Sequence, residues 1–183
     1  MRGMIAIMRV IGIDPGLATV GIGVVEGLRL VDFCTIETSP ALSAPERLAE
    51  IACDLSSILK KHRPALAVVE KLYFERNQKT AMNVAEARGV ILVTLNQSKL
   101  DSGQALPILE PTPLELKLAV TGDGKADKRQ IQDMLARILK LEAGFFRGVS
   151  DDATDAVALA VYGALYQSRE MLDTSRRKAT IAP

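Results

Sequence analysis

Asp14 closes the apolar run Val10-Ile-Gly-Ile13 and is followed at once by the turn formers Pro15-Gly16. A carboxylate at a strand end is held by rigid backbone and still faces a cleft. Burying it unpaired would cost several kcal/mol or more, so packing does not explain it. Oxygen ligation of a hard divalent cation does. Glu70 repeats the pattern at the end of Leu66-Ala-Val-Val69, and Asp151, Asp152 and Asp155 open an apolar helical segment near the C-terminus. Three acidic stations far apart in the chain, each at an element end, form the pattern of a two-metal site. Two Mg²⁺ ions roughly 3.5–4 Å apart stabilise the attacking and leaving oxygens of a phosphodiester. Asp14 is the candidate bridge between the ions and Glu70 a ligand of one. Asp152/Asp155 and Asp151/Asp155 both align on one helical face, and spacing does not choose between them. For Asp151 the plainer role, offsetting the helix dipole at the N-terminus, is favoured. For Glu70 the plainer role is that of a surface acid at a strand end.

The elements that must position these acids follow from the patterning. Strands are expected at Val10–Ile13, Gly21–Glu26 and Arg29–Thr38, joined by short turns as an antiparallel meander. Ser43 and Glu46 form a capping box for a helix to about Lys61, carrying Leu48, Ile51, Leu55 and Leu59 on one face. A buried strand at Ala65–Glu70, a helix at Asn77–Gln97 and a strand at Leu106–Glu110 come next. Helices at Pro113–Val120, Asp127–Lys140 and Ser150–Gln167 complete the order. Strands spaced by helices pair in parallel, so the fold class is α/β with a central mixed sheet of five strands, three antiparallel and then parallel, flanked by helices. Residues 1–8 read as an N-terminal extension, with Met8 an alternative start. Residues 9–168 read as one domain, and residues 169–183 as a disordered tail.

Composition narrows the field. Of 183 residues 48% are hydrophobic, which is globular rather than disordered, and the formal net charge is +1. Residues 1–60 hold five Lys/Arg against seven Asp/Glu, and the remainder eighteen against fifteen, so the later part is the more basic. Its clusters, Lys71/Arg76/Lys79 and Lys125/Lys128/Arg129, are candidate phosphate contacts or simply solvated faces. His62 is the only histidine and there are two cysteines, which rules against a zinc centre. Cys34 and Cys53 are expected as free core thiols of a cytoplasmic protein. No apolar stretch reaches membrane-spanning length. Gly21-Ile-Gly23 lacks the third glycine of a dinucleotide loop, and Thr121-Gly-Asp-Gly-Lys125 has the wrong spacing for a P-loop. Tyr73 follows Glu70 within a basic segment and can stack on an unpaired base, whereas Phe74 also suits a core.

Five stretches in this order resemble the RuvC family of Holliday-junction resolvases: Ile11-Gly-Ile-Asp14-Pro-Gly16, Val69-Glu70-Lys-Leu-Tyr-Phe-Glu-Arg-Asn77, Ala87-Arg88-Gly89, Thr121-Gly-Asp-Gly-Lys-Ala-Asp-Lys128 and Asp152-Ala-Thr-Asp155-Ala-Val-Ala-Leu-Ala160. The resemblance implies a ribonuclease H-like fold and places the four catalytic, metal-binding acids on Asp14, Glu70, Asp152 and Asp155, favouring Asp152 over Asp151. It puts a base-contacting aromatic at Tyr73 and phosphate-contacting lysines at Lys117 and Lys128. Phe74, Arg76, Lys79, Lys125 and Arg129 complete the expected DNA-contacting set. It further implies a homodimer using two Mg²⁺ per site, with Mn²⁺ as substitute, acting on four-way junction DNA. Paired symmetric nicks leave 5′-phosphate and 3′-hydroxyl ends, and the branch-migration proteins RuvA and RuvB are partners. The helix at 77–97, with Met82, Val84, Val90 and Leu92, is the candidate dimer face or ordinary core. A related nuclease acting on structured RNA is the rival reading. An actin-like phosphotransferase needs a far longer chain, and a non-catalytic junction binder would leave the acids dispensable.

Overall fold

The computed structural model describes the backbone of residues 8–71 and 78–181 and the side chains of residues 8–71 and 81–170. The elements in chain order are β1 Arg9–Asp14, β2 Thr19–Glu26, β3 Arg29–Glu37, α1 Ala44–His62, β4 Leu66–Val69, α2 Gln78–Gln97, β5 Ile108–Leu109, α3 Pro113–Thr121, α4 Lys128–Ile138 and α5 Asp151–Ile181. The strands form one sheet in the order β3-β2-β1-β4-β5. β1–β2 and β2–β3 are antiparallel, while β1–β4 and β4–β5 are parallel, as expected of a meander followed by helix-spaced strands.

Alternation along the strands sorts side chains onto two apolar layers. Ile11, Ile13, Val20, Ile22, Ala67 and Val69 pack against Ile51, Leu55 and Leu59 of α1 and Ala87, Ile91 and Leu95 of α2. Val10, Leu66 and Val68 face the other way, onto Leu116 and Val120 of α3, Leu135 of α4 and Val157, Leu159 and Val161 of α5. Val24 and Val25 alternate onto opposite layers, and opposite them β3 carries one extra residue, Val31, as a bulge.

Local chemistry sets the helix ends. The Glu46 carboxylate accepts from the Ser43 N–H at 2.8 Å and the Ser43 hydroxyl at 2.6 Å. Arg63 ends α1 in the left-handed region (φ 44°), its N–H donating to the Leu59 carbonyl. Thr112 and Asp127 cap α3 and α4 by accepting from Glu115 N and Gln130 N. The Ser150 hydroxyl oxygen accepts from the Ala153 amide at the start of α5.

Several boundaries differ from the patterning. β5 spans two residues rather than five, because prolines at 107 and 111 flank it and a proline has no N–H to donate. Pro107 still contributes its carbonyl, which accepts from Ala67 N at 2.9 Å. α5 runs to Ile181, beyond Gln167: apolar periodicity ends there, but good helix formers continue. Cys34 and Cys53 are free as expected, yet exposed rather than in the core, since each sits on the solvent side of its element. On α2 the core face is Ala87, Ile91 and Leu95 with Leu92 packed alongside, whereas Met82 (65% exposed) and Val93 (57%) point outward.

Glycines set the spacing of α5 against the sheet. A Cβ on Gly12 would collide with the Ala156 carbonyl oxygen, and one on Gly21 with the Asp152 carbonyl. On Gly23 it would lie 2.5 Å from the Val157 amide nitrogen. All three strand glycines face the α5 backbone directly, so their role is close approach rather than ligand binding. Gly23→Ala should therefore lower unfolding free energy by on the order of 2 kcal/mol, as backbone shifts to relieve overpacking usually do. Urea denaturation checks this, and a wild-type midpoint would show that α5 is not seated on that glycine.

Candidate active site

Asp14 is the last residue of β1, and Glu70 immediately follows β4. The two strands are parallel neighbours with Ile13 opposite Val69, so the acids leave the sheet side by side at its C-terminal edge. They share a face as well. Val10 and Gly12 face α5, as do Leu66 and Val68, and alternation puts Asp14 and Glu70 on that same side. Both acids thus stand at the carboxyl ends of adjacent parallel strands, the edge of an α/β sheet where ligands bind.

The glycine contacts deliver the remaining acids. Asp14 pairs with Gly21 across β1–β2, and Gly21 lies beneath the Asp152 carbonyl. The first turn of α5 is thereby set over the strand end that carries Asp14. Asp152 and Asp155 are both half-buried there.

The electrostatics show the four acids within one another's fields. The Asp14 carboxyl is pushed up to about 8, first by burial and then by the negative charges of Asp155, Glu70 and Asp152, with Lys128 pulling the other way. Burial and then Asp155 raise Glu70, while Lys117 opposes the rise. Asp155 is raised mainly by burial, with Lys128 lowering it and Asp151 and Asp152 raising it. The Lys128 ammonium lies 3.0 Å from Asp151 Oδ2 and 3.3 Å from Asp155 Oδ2.

These contacts separate the two aspartates that spacing left equivalent. Asp151 is 71% exposed in its side chain and faces Lys128, whereas Asp152 is among the charges acting on Asp14. As the side chains lie, no three acids among the described residues stand close enough to enclose a metal ion, so the expected cage is open rather than closed. The donor set nonetheless fits a hard cation. It is all carboxylate oxygen, it is partly desolvated, and its excess negative charge is offset by lysine ammonium groups.

The expected DNA contacts are placed unevenly. Lys117 and Lys128 border the acids. Lys125 and Arg129 are exposed on either side of the α4 cap. Lys79 belongs to the first turn of α2. Tyr73, Phe74 and Arg76 lie outside the described residues. A separate groove of about 800 Å³, lined by Leu59, Arg63, Ser98 and Leu100 where α1 and α2 end, contains none of the acids. Two features had no role assigned from sequence: the three strand glycines, which spacing on one strand face could have signalled, and Arg88, which lies beside Glu70.

The sheet order and the carboxylates at its C-terminal edge define a carboxylate-lined site on a ribonuclease H-like α/β scaffold. Residues 10–163 match the family model for crossover junction endodeoxyribonuclease RuvC. The chain is 45% identical to the crossover junction endodeoxyribonuclease RuvC of Roseiflexus over 157 residues, covering 84% of this chain and 88% of that protein. Thermus thermophilus RuvC superposes with a TM-score of 0.75 at 33% identity, over 89% of this chain and 97% of that one. The same protein solved in complex with a Holliday junction substrate gives 0.76 at 32% identity, over 87% and 94%. The chain belongs to the RuvC family of nucleases.

The raised acids predict a particular pH dependence. A carboxyl whose folded pKa exceeds its unfolded value binds its proton more tightly when folded, so stability falls as pH rises from the ordinary value of 3.8 toward about 8. Asp14→Asn should flatten that fall between pH 5 and 8 in chelator and stabilise the protein by on the order of 2 kcal/mol at pH 8. Urea titrations across that range test it, and a variant profile parallel to wild type would refute the burial of a charged Asp14.

Proposed function

We propose that this chain is a structure-selective endonuclease that resolves four-way DNA junctions by metal-assisted phosphodiester hydrolysis. The carrying observation is the convergence of Asp14, Glu70, Asp152 and Asp155, in which burial first and then the charges of the other three acids raise Asp14 to about 8. A site so loaded with negative charge favours a cation, and phosphate approaches it only once that charge is neutralised.

Asp14, Glu70, Asp152 and Asp155 would hold Mg²⁺, two ions per site, with Mn²⁺ able to substitute. When bound, the metal activates water for attack and stabilises the developing charge on the leaving oxygen. Lys117 and Lys128 orient the scissile phosphate. Loading the carboxylates would release the Lys128 ammonium from Asp151 and Asp155 toward a non-bridging oxygen. Tyr73 stacks on an unpaired base beside the cut, and Phe74, Arg76, Lys79, Lys125 and Arg129 supply further contacts to DNA. Attack of water on phosphorus with cleavage of the P–O3′ bond, the leaving 3′-oxygen taking up a proton, would leave a 5′-phosphate and a 3′-hydroxyl.

A four-way junction is close to two-fold symmetric, so a homodimer presents two identical sites to two strands of like polarity, and paired nicks resolve it. The outward-facing Met82 on α2 supports that helix as the dimer contact. The setting is cytoplasmic recombination and repair with the RuvA and RuvB branch-migration proteins. Among the described residues no helix is long and apolar enough to cross a membrane.

Incubation with a labelled synthetic four-way junction, duplex DNA or structured RNA, in Mg²⁺ or chelator, tests the reading. Cleavage should require the metal and favour the junction, and preference for RNA would overturn the proposal. Asp14→Asn should lose at least about a hundredfold in cleavage rate, the scale of losing one preorganised charge-stabilising group. Junction binding in chelator should persist or tighten, because one negative charge facing phosphate is gone. Wild-type cleavage by that variant would remove Asp14 from the chemistry.

A further inference from the structure

Glu70 stands one residue beyond β4, where ladder pairing has stopped, so something other than the sheet must fix its backbone. The Arg88 side chain does this. Its Nε donates to the Glu70 carbonyl oxygen at 3.2 Å, and the same guanidinium is paired through Nη2 with Glu110 Oε2. Arg88 lies on α2, one residue past the buried Ala87, and its own side chain is only 17% exposed. Glu110 is the residue after β5, the strand beside β4. One residue further along, Lys71 N donates to the Pro111 carbonyl at 2.9 Å. The chain at 70–71 is thus tied to α2 by a guanidinium and to the β5 exit by a backbone hydrogen bond, with Glu110 holding the guanidinium in place.

We propose that Arg88 is a positioning residue for Glu70: clamped by Glu110, it holds the Glu70 backbone so that the carboxylate stays on the α5 face with Asp14 and Asp155. The inference rests on the metal-site reading above and adds a residue to it that touches neither metal nor substrate. Three alternatives are weaker. A surface ion pair would need neither a half-buried guanidinium nor a bond to the backbone of a site residue. A phosphate contact would leave the guanidinium free, whereas here it is engaged on two sides. A purely structural strut would matter for stability and leave ligand affinity alone. Residues that orient a metal ligand characteristically change metal affinity or activity by 10–100-fold when lost.

The test uses full-length protein and Mn²⁺ alone as probe, titrated calorimetrically without DNA, beside junction cleavage as a function of Mg²⁺. Arg88→Gln should weaken Mn²⁺ binding and raise the Mg²⁺ concentration for half-maximal cleavage by about tenfold. Its binding to a four-way junction in chelator should match wild type. Arg88→Lys, which keeps one donor and the charge, should recover part of the loss. Glu110→Gln, which releases the guanidinium while leaving Arg88 in place, should shift the metal titration in the same direction by a smaller factor, and serves as the deciding variant if Arg88→Gln does not fold. Wild-type metal titrations in both variants, even with lower melting temperatures, would overturn the positioning role while leaving the nuclease reading intact. Wild-type protein that binds no Mn²⁺ and cuts no junction would overturn both.

Discussion

The constraint on which the site depends is the direct contact of α5 with the β1–β2 hairpin. A helix normally rides above a sheet on a layer of side chains. Here Gly12, Gly21 and Gly23 remove that layer under one turn after another, so helix backbone meets strand backbone. The closest approach is at Gly21, directly under Asp152 and directly opposite Asp14. The same glycines that weaken β2 as an isolated strand thus bring two acids, more than 130 positions apart in the chain, into one another's fields.

Such a gathering of like charge opposes folding, and the surrounding architecture offsets it. Both sheet faces are covered by apolar layers containing fully buried Ile11, Ile13, Ile22, Ile51, Leu55 and Leu159, each contributing about 1.5–3 kcal/mol by burial. That reserve lets β1 and β4 end in carboxylates lifted above their ordinary range. Lys128 on α4 compensates locally by pairing with both Asp151 and Asp155, while Asp152 and Asp155 act on Asp14 at the sheet edge.

Most of the fold was legible in the sequence because it is written in short-range patterns. Alternation announces the meander, Ser43/Glu46 the start of α1, and Pro64 the end of it. Asp14 and Glu70 were legible for the same reason: each breaks an apolar run that has already declared itself a strand. The choice of Asp152 over Asp151 is open from spacing, since both align with Asp155; what bears on it is tertiary, namely that Asp152 acts on Asp14 while the Asp151 side chain is 71% exposed beside Lys128. Tyr73, Phe74 and Arg76 rest on spacing and resemblance alone and lie outside the described residues. The extent of α5 was underread because periodicity reports burial, and a helix extending beyond the core has no reason to keep it.

Gly21-Ile-Gly23 shows how a local signal misleads when read as a motif. As a fragment of a dinucleotide loop it fails on spacing, and setting it aside leaves two glycines in a strand with no purpose. Two glycines two apart in a strand necessarily lie on one face, and together with Gly12 on the paired strand they form a patch with no side chains. Such a patch implies a backbone, or a ligand, lying flat on it. Within this chain the Ala-rich run 153–164 is the apolar helix small enough to lie there, and its first turn carries the acids. The glycine patch and the acidic first turn are therefore two halves of one device: neither assembles the site alone, and substitutions in either should act on it through the distance between α5 and β1.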